Sequence, residues 1–532
     1  MFSIFKLFSF LLIRLRLNHS DKVLSILISC SCIFILNSCS NKTKTKAVVY
    51  EPKDLPNIVL LMGDDHGWDE VGYNGHPFVK TPVLDEMASE GLRFDRFYSG
   101  HPTCSPTRGG FLTGRHPNRY GTFTPGWSIR PEEITIAHLL KQEGYITGHF
   151  GKWHIGPVKE SSPTNPGAMG FDEWVSHDNF FDMDPVLSRN GAPPQKIEGE
   201  GSEVIVDEAI KFIQHSEDQN RPFFAVVWFG SPHEPYSGLP EDLALYEDLP
   251  DSLANIETRL TSNETGEQVT RPLRDVLQER YAEITAMDRA IGKLRSFLAK
   301  NNLKENTIVF YCGDNGTSAD AGHVGITLRE QKSSVYEGGI RVPGVLEWPR
   351  LIKEPTSTSA VSVTTDLLPT LAGITGAPLP DRPLDGINLT PVLSGFQQKR
   401  EQPLFFWQFE PNLVFHDSAE PYIEPRLQEG TTPLVKKMNG KFTRDFKNYI
   451  YSGISPEDYS GARSMMEDRY KLVVIGRRLE DEKFELYDIQ KDPYEEKDLS
   501  KEKPEKVESM KAQLRKWQKS VLNSLTGVDY DQ

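Results

Sequence analysis

Three runs of the chain, IVLLM at 58–62, FFAVVWF at 223–229 and TIVFYC at 307–312, are apolar at nearly every position rather than at every second one. A strand of that kind hides both of its faces, as the central strands of a parallel sheet do. Helical patterns fall between the runs at 81–90, 134–143 and 204–215. The clearest extends from 275 to 300, with Val276, Tyr281, Ile284, Met287, Ile291, Leu294 and Leu298 at three- and four-residue spacings. Alternating strands and helices predict an α/β fold, a doubly wound, mostly parallel sheet flanked by helices. Ligands of such sheets bind at the carboxyl ends of the strands. Past about residue 400 the pattern changes. Short strands at 404–409, 470–475 and 484–489 and a charged helix at 504–521 predict a small antiparallel sheet plus a helix. The expected division is an α/β domain over 56–400 and a C-terminal α+β subdomain over 401–532. Residues 410–463, rich in Pro, Gly and charge, read as long loops, either a substrate-contacting insertion or an inert surface excursion.

The N-terminal segment stands apart from this fold. Residues 23–36 carry no charge, too short a run for a transmembrane helix and the length of a secretion-signal core. A second apolar stretch lies upstream at 2–13. Leu36-Asn37-Ser38-Cys39 resembles the lipobox of bacterial lipoproteins, with asparagine where a small residue is usual. The expectation is a signal at 1–38, a lipid anchor on Cys39, a Lys-rich tether at 39–55, and an exported envelope protein of the periplasm or outer membrane. Cys30 and Cys32 fall in the signal, so the body keeps only Cys104 and Cys312 and has no disulfide framework. A net charge of −15 argues against nucleic acid as a partner. Any anion site must then be local and strongly cationic.

Polar clusters follow the predicted strands. Asp64-Asp65 ends the first run and Asp314-Asn315 the third, an all-oxygen set that suits a hard divalent ion such as Ca2+ better than zinc. Lys152 and His154 lie in GKWHIG (151–156), after a strand-like segment at 145–150. Two residues apart, they point the same way if that segment stays extended. Ser231-Pro232-His233 follows the second run, and Lys332 precedes EGGIRVP at 337–343. Cys104-Ser105-Pro106-Thr107-Arg108 opens another apolar run, and a helix starting there favours negative charge at its N-terminus.

In this order, over residues 56–400, these motifs resemble the type I, formylglycine-dependent sulfatases of the alkaline phosphatase superfamily. ELYD at 485–488 and Asp492-Pro493 are similar to that family's C-terminal strand and turn. The resemblance implies an alkaline phosphatase-like fold and a sulfuric ester hydrolase. It implies that a formylglycine-generating maturation enzyme oxidises Cys104 to 3-oxoalanine, whose hydrate attacks the sulfate ester. Asp64, Asp65, Asp314 and Asn315, with the modified Cys104, would hold one Ca2+. Arg108 would steady the nucleophile, Lys152 and Lys332 the sulfate oxygens, and His154 the hydroxyls. His233 would give a proton to the leaving alcohol. The chemistry is consistent with that cast, because a thiol would form an adduct with no easy exit, whereas the second hydroxyl of a hydrate can expel sulfate.

The expected substrate is a sulfated polysaccharide or its oligosaccharides, of ulvan, carrageenan or glycosaminoglycan type. Leu328-Arg329-Glu330-Gln331 and Ser333 flank Lys332 where the family has glycines, so Arg329 and Glu330 are further candidates to face substrate. His323, in a Gly-rich loop, is another. Trp127, Trp174, Trp407 and Phe409 serve either to stack on sugar rings or to fill the core. Two other functions fit the sequence. One is a phosphonate monoester hydrolase or phosphodiesterase using the same modified cysteine. The other is an inactive lipoprotein that binds sulfated glycans.

Overall fold

Strand β1 (Asn57–Gly63) is buried along its length after Asn57, and its residues alternate between two cores. Ile58, Leu60 and Met62 pack with Phe111, Leu112 and Leu368, while Val59 and Leu61 pack with Phe212, Met287 and Ile291. An uninterrupted apolar run is what a strand covered on both faces requires. Strands β2 (Ile146–Lys152), β3 (Glu173–His177), β4 (Phe223–Trp228) and β5 (Thr307–Gly313) complete a parallel centre in the order β5-β1-β4-β2-β3. Five further strands extend it at both sides to ten, four joined antiparallel and Thr356–Thr358 joined parallel. Helix α1 (Cys104–Thr113) covers one face; α2 (Gly201–Asp218) and α3 (Leu273–Lys300) cover the other.

The computed structural model describes residues 55–530 apart from 263–264, 323, 326, 411–418, 434–443, 452–453, 456–457 and 477–478. The signal and lipobox at 1–39, and His323, lie outside the described residues. Among those described, no helix is long and apolar enough to cross a membrane, and Cys104 and Cys312 are buried free thiols.

The C-terminal region is a four-stranded antiparallel sheet, Leu404–Trp407, Arg463–Glu467, Tyr470–Ile475 and Lys483–Asp488, closed by helix α4 (Pro504–Leu525). The second of these strands is not among those expected from the sequence. RSMME lacks the β-branched and aromatic residues that announce a strand, and its pairing partners define it instead. Trp127, Trp174, Trp407 and Phe409 are at most 9% exposed, so all four are packing residues rather than sugar platforms.

Two buried ionic networks fasten this sheet and helix to the body. Lys471 lies between Glu337 (3.0 Å) and Glu495 (2.9 Å), all three buried; Tyr98 also donates to Glu337 (2.9 Å). Asp385 accepts from Arg119 Nε (2.7 Å), the His116 amide (2.6 Å) and the Trp517 indole of α4 (2.8 Å). Burial opposes ionisation of Asp385, but the Arg119 guanidinium overrides it and holds the carboxyl well below its usual range. A depressed folded pKa contributes stability that is present above the unfolded value, about 3.9, and is lost as pH falls toward the folded one. Asp385→Asn should therefore cost about 3 kcal/mol near neutrality. In thermal melts the gap to the parent should narrow as pH drops below about 4.

Candidate active site

Residues far apart in sequence meet because their strands end in register. Gly63 pairs with Gly313, Met62 with both Cys312 and Trp228, and Gly151 with Trp228. The next residues along each strand, Asp64-Asp65, Asp314-Asn315 and Lys152, therefore emerge along one edge of the sheet. The turn leading to His233 joins them, since Ser231 accepts from the Asp64 amide (3.0 Å). Helix α1 begins at Cys104 and is buried throughout. Of the residues picked out from sequence, Asp64, Asp65, Cys104, Arg108, Lys152, His154, Asp314 and Asn315 are at most 1% exposed.

Three carboxylates and three cations share this space. Lys152 Nζ lies 2.5 Å from Asp64 Oδ2, Lys332 Nζ 2.7 Å from Asp65 Oδ2, and Arg108 Nη2 2.7 Å from Asp314 Oδ2. Arg108 also reaches Asp64 (3.3 Å) and donates to the Lys152 carbonyl (3.1 Å). Burial would raise the Asp64 carboxyl, but Lys152, His233, Arg108 and Lys332 hold it far below its usual range. Asp314 goes the other way, pushed up to about 7 by burial and by the charge of Asp64. Burial pushes the Cys104 thiol up as well, against the pull of Lys152 and Lys332. An unmodified thiol there is a poor nucleophile at neutral pH.

The two histidines differ. His154 is buried with neither ring nitrogen hydrogen-bonded, and burial, helped by Lys152, keeps it neutral. Its φ of 60° is left-handed, so the extended geometry expected to align it with Lys152 does not continue to residue 154. His233 Nδ1 is 2.5 Å from the Glu234 carbonyl, leaving Nε2 toward Asp65 (3.7 Å). Burial lowers its pKa to about 4 despite Asp65. Phe180 stacks on its ring at 4.6 Å.

A divalent cation fits this centre. Ligand atoms of Asp64, Asp65, Cys104 and His233 all lie within 4.8 Å of one another. Among the described residues, buried Asn315 Oδ1 accepts no hydrogen bond, and buried Asp64 Oδ1 has only the long 3.3 Å approach of Arg108. Buried oxygens without donors are what a hard cation takes up. Asp314 adjoins the cluster, its Oδ1 accepting the Asp65 amide (2.9 Å), and Asn315 Nδ2 donates to Asp65 Oδ1 (2.9 Å). His233, expected only as a proton donor, thus also stands at ligand distance.

Sequence reading missed the support beneath these groups. Arg280 is fully buried, bound to Glu70 through Nε (2.6 Å) and Nη2 (2.5 Å), to the Asp65 carbonyl (2.8 Å) and to the Pro232 carbonyl (2.5 Å). The signal was present: Arg280 stands four residues after Val276 and four before Ile284, on the apolar stripe of α3 where a charge needs a partner. Arg329 does not face the centre; it donates to Tyr487 (2.7 Å) and stacks on Tyr336. The described part of the 410–463 region does reach the centre's rim. Thr432 donates to Asp178 (2.8 Å), whose carbonyl accepts from His154.

Known proteins place this arrangement in a family. A sequence profile described as Sulfatase matches residues 56–377. An ulvan-active sulfatase of Formosa agariphila is 34% identical over 79% of this chain and 87% of its own. Human arylsulfatase A is 34% identical over 68% of this chain and 72% of its own. Among solved structures, Ps i-CgsB in complex with a neocarrahexaose superposes with a TM-score of 0.68 at 23% identity, over 89% of this chain and 94% of that one. The phosphonate monoester hydrolase of Agrobacterium radiobacter shares the fold more loosely, with a TM-score of 0.56 at 18% identity over 86% and 96%. The chain belongs to the sulfatase family and is a sulfuric ester hydrolase.

Proposed function

We propose that this enzyme removes sulfate from a sulfated glycan, of ulvan, carrageenan or glycosaminoglycan type, using a formylglycine made from Cys104 and a bound Ca2+. The observation that carries the chemistry is Cys104 at the buried start of α1, clustered with Asp64, Asp65 and His233 and close enough to Lys152 and Lys332 to feel both charges. The glycan part is supported by the ulvan-active relative and by the carrageenan-oligosaccharide complex of a structural neighbour. Export and lipid attachment at Cys39, which would suit such a substrate, rest on the sequence pattern of residues 23–39.

The roles follow from placement. Lys152 and Lys332, now paired with Asp64 and Asp65, turn to the sulfate oxygens once the carboxylates are otherwise neutralised, spreading the charge of the transferring group. Arg108, at the root of α1 and bound to Asp314, fixes the orientation of residue 104. Neutral His154 has both nitrogens available to hydrogen-bond hydroxyls there. His233 directs Nε2 at the centre, and an arriving sulfate anion favours its protonation, readying it to protonate the departing alkoxide. Converted by a maturation enzyme, Cys104 would supply a hydrated aldehyde as nucleophile and, in its second hydroxyl, a route for releasing sulfate. Ca2+ held by Asp64, Asp65, Asp314 and Asn315 would lower the pKa of the attacking hydroxyl.

Mass spectrometry of protein co-expressed with a formylglycine-generating enzyme should find residue 104 lighter by about 18 Da. Cys104→Ala should abolish turnover, and an unmodified yet active thiol would sink the mechanism. The enzyme should release sulfate from an aryl sulfate faster than it cleaves an aryl phosphate diester; the reverse order would make it a phosphorus-ester hydrolase. Ca2+ at a hundredfold its Kd should add about 2.7 kcal/mol of stability, visible as a raised Tm. Asp64→Asn and Asn315→Ala should remove that rise, and stabilisation by Zn2+ alone would contradict an oxygen-ligated centre.

A further inference from the structure

One cation at the rim of the centre has no neutralising partner among the described residues. The segment beginning at Arg444 is fastened to the body. Lys447 donates to the Gly126 carbonyl (3.1 Å), Ser128 donates back to Lys447 (3.0 Å), and Phe446 donates to Gln428 (2.8 Å). Asn448 Nδ2 donates to the Tyr120 (3.1 Å) and Ser128 (2.9 Å) carbonyls. Phe446 is buried and meets the His154 ring edge-on, centroids 6.5 Å apart. Two residues earlier, the Arg444 stem lies against Gly126, its Cδ 3.5 Å from where a Cβ would stand. Arg444 therefore stands two residues before the ring that packs on His154, on a segment held against the body.

Lys152, Lys332 and Arg108 each face a carboxylate. Arg444 is half-buried, and no hydrogen bond or ion pair of its guanidinium is found among the described residues. A guanidinium partly withdrawn from water gives up hydration without recovering it. In a chain of net charge −15, with acidic groups available to pair it, an unpaired arginine beside the reacting centre suits an anion that arrives from outside. Its planar fork matches a carboxylate or sulfate through two parallel hydrogen bonds.

We infer that Arg444 binds a second anionic group of the substrate, a carboxylate or another sulfate on the sugar that carries the scissile ester or on its neighbour. The inference rests on the glycan-sulfatase reading and goes beyond it by naming the feature the enzyme selects. It also gives the 410–463 region a purpose, the delivery of one side chain that reads the sugar rather than the sulfate being removed.

The test compares kcat/KM of the matured parent, Arg444→Ala and Arg444→Lys on three substrates. These are 4-nitrophenyl sulfate, a uronate-containing sulfated disaccharide from ulvan or chondroitin sulfate, and a multiply sulfated carrageenan oligosaccharide. On whichever glycan the parent cleaves, Arg444→Ala should lose about ten- to a hundredfold more than on the aryl ester, the range of a charge-assisted hydrogen bond. Arg444→Lys should recover part of that loss. Reducing the uronate carboxyl should abolish the difference if the carboxylate is the partner and preserve it if a second sulfate is. Equal losses on aryl and glycan substrates would overturn the assignment while leaving the glycan reading intact. A parent that cleaves the aryl ester but neither glycan would overturn the glycan reading and the assignment with it.

Discussion

Everything at this centre turns on charge balance among groups largely withdrawn from solvent. Two adjacent parallel strands end in three buried carboxylates, and an unpaired carboxylate there would cost several kcal/mol. The compensating cations come from three separate elements: Arg108 from α1, Lys152 from the end of β2, and Lys332 from the loop before residue 337. Sheet, helix and loop must therefore all be in place before all three charges are satisfied. The arrangement carries local strain too. Asp65 and His154 both adopt φ of 60°, which non-glycine residues accept only where surroundings dictate it. Asp65 is pinned at its amide by Asp314 and at its carbonyl by Arg280, and His154 at its amide by the Asp178 carbonyl.

The C-terminal sheet belongs to this charge balance rather than standing beside it. Lys471 bridges Glu495 and Glu337, the latter five residues beyond Lys332. Arg329, three residues before that lysine, is bound to Tyr487 of the same sheet. Described segments between its first two strands reach Asp178, through Thr432, and Gly126, through Lys447. The candidate site residues come from the first 332 residues, while Thr432 and Phe446 approach them from beyond residue 400.

Much of this was legible in the sequence because it depends on local rules. Continuous apolar runs mark strands buried on two faces, and a strand's end marks where its polar residues will face a ligand. Asp64, Asp314, Lys152 and His233 could be named for that reason. Other features were decided by tertiary partners. The strand Arg463–Glu467 has no pattern of its own and exists by pairing. His154 turns away from extended geometry at the residue where alternation was to have fixed its direction. Arg329 looked available to ligand but is held by Tyr487 and Tyr336, whereas the four large aromatics fill the core, one of the two roles their sequence allowed. Arg280 lies between these cases, since a charge on an apolar helical stripe was visible while its partners, Glu70 and the Asp65 carbonyl, were not.

The burial of Cys104 sets an order of events. In the folded protein the thiol is 1% exposed, so an enzyme of ordinary size cannot reach it, and any maturation must act on an open chain. Lys471, the partner of Glu337, is made about 370 residues after Cys104. At the usual 5–20 residues per second that interval is roughly 20–70 s. Until Lys471 is made, the C-terminal sheet lacks this ionic fastening to the body.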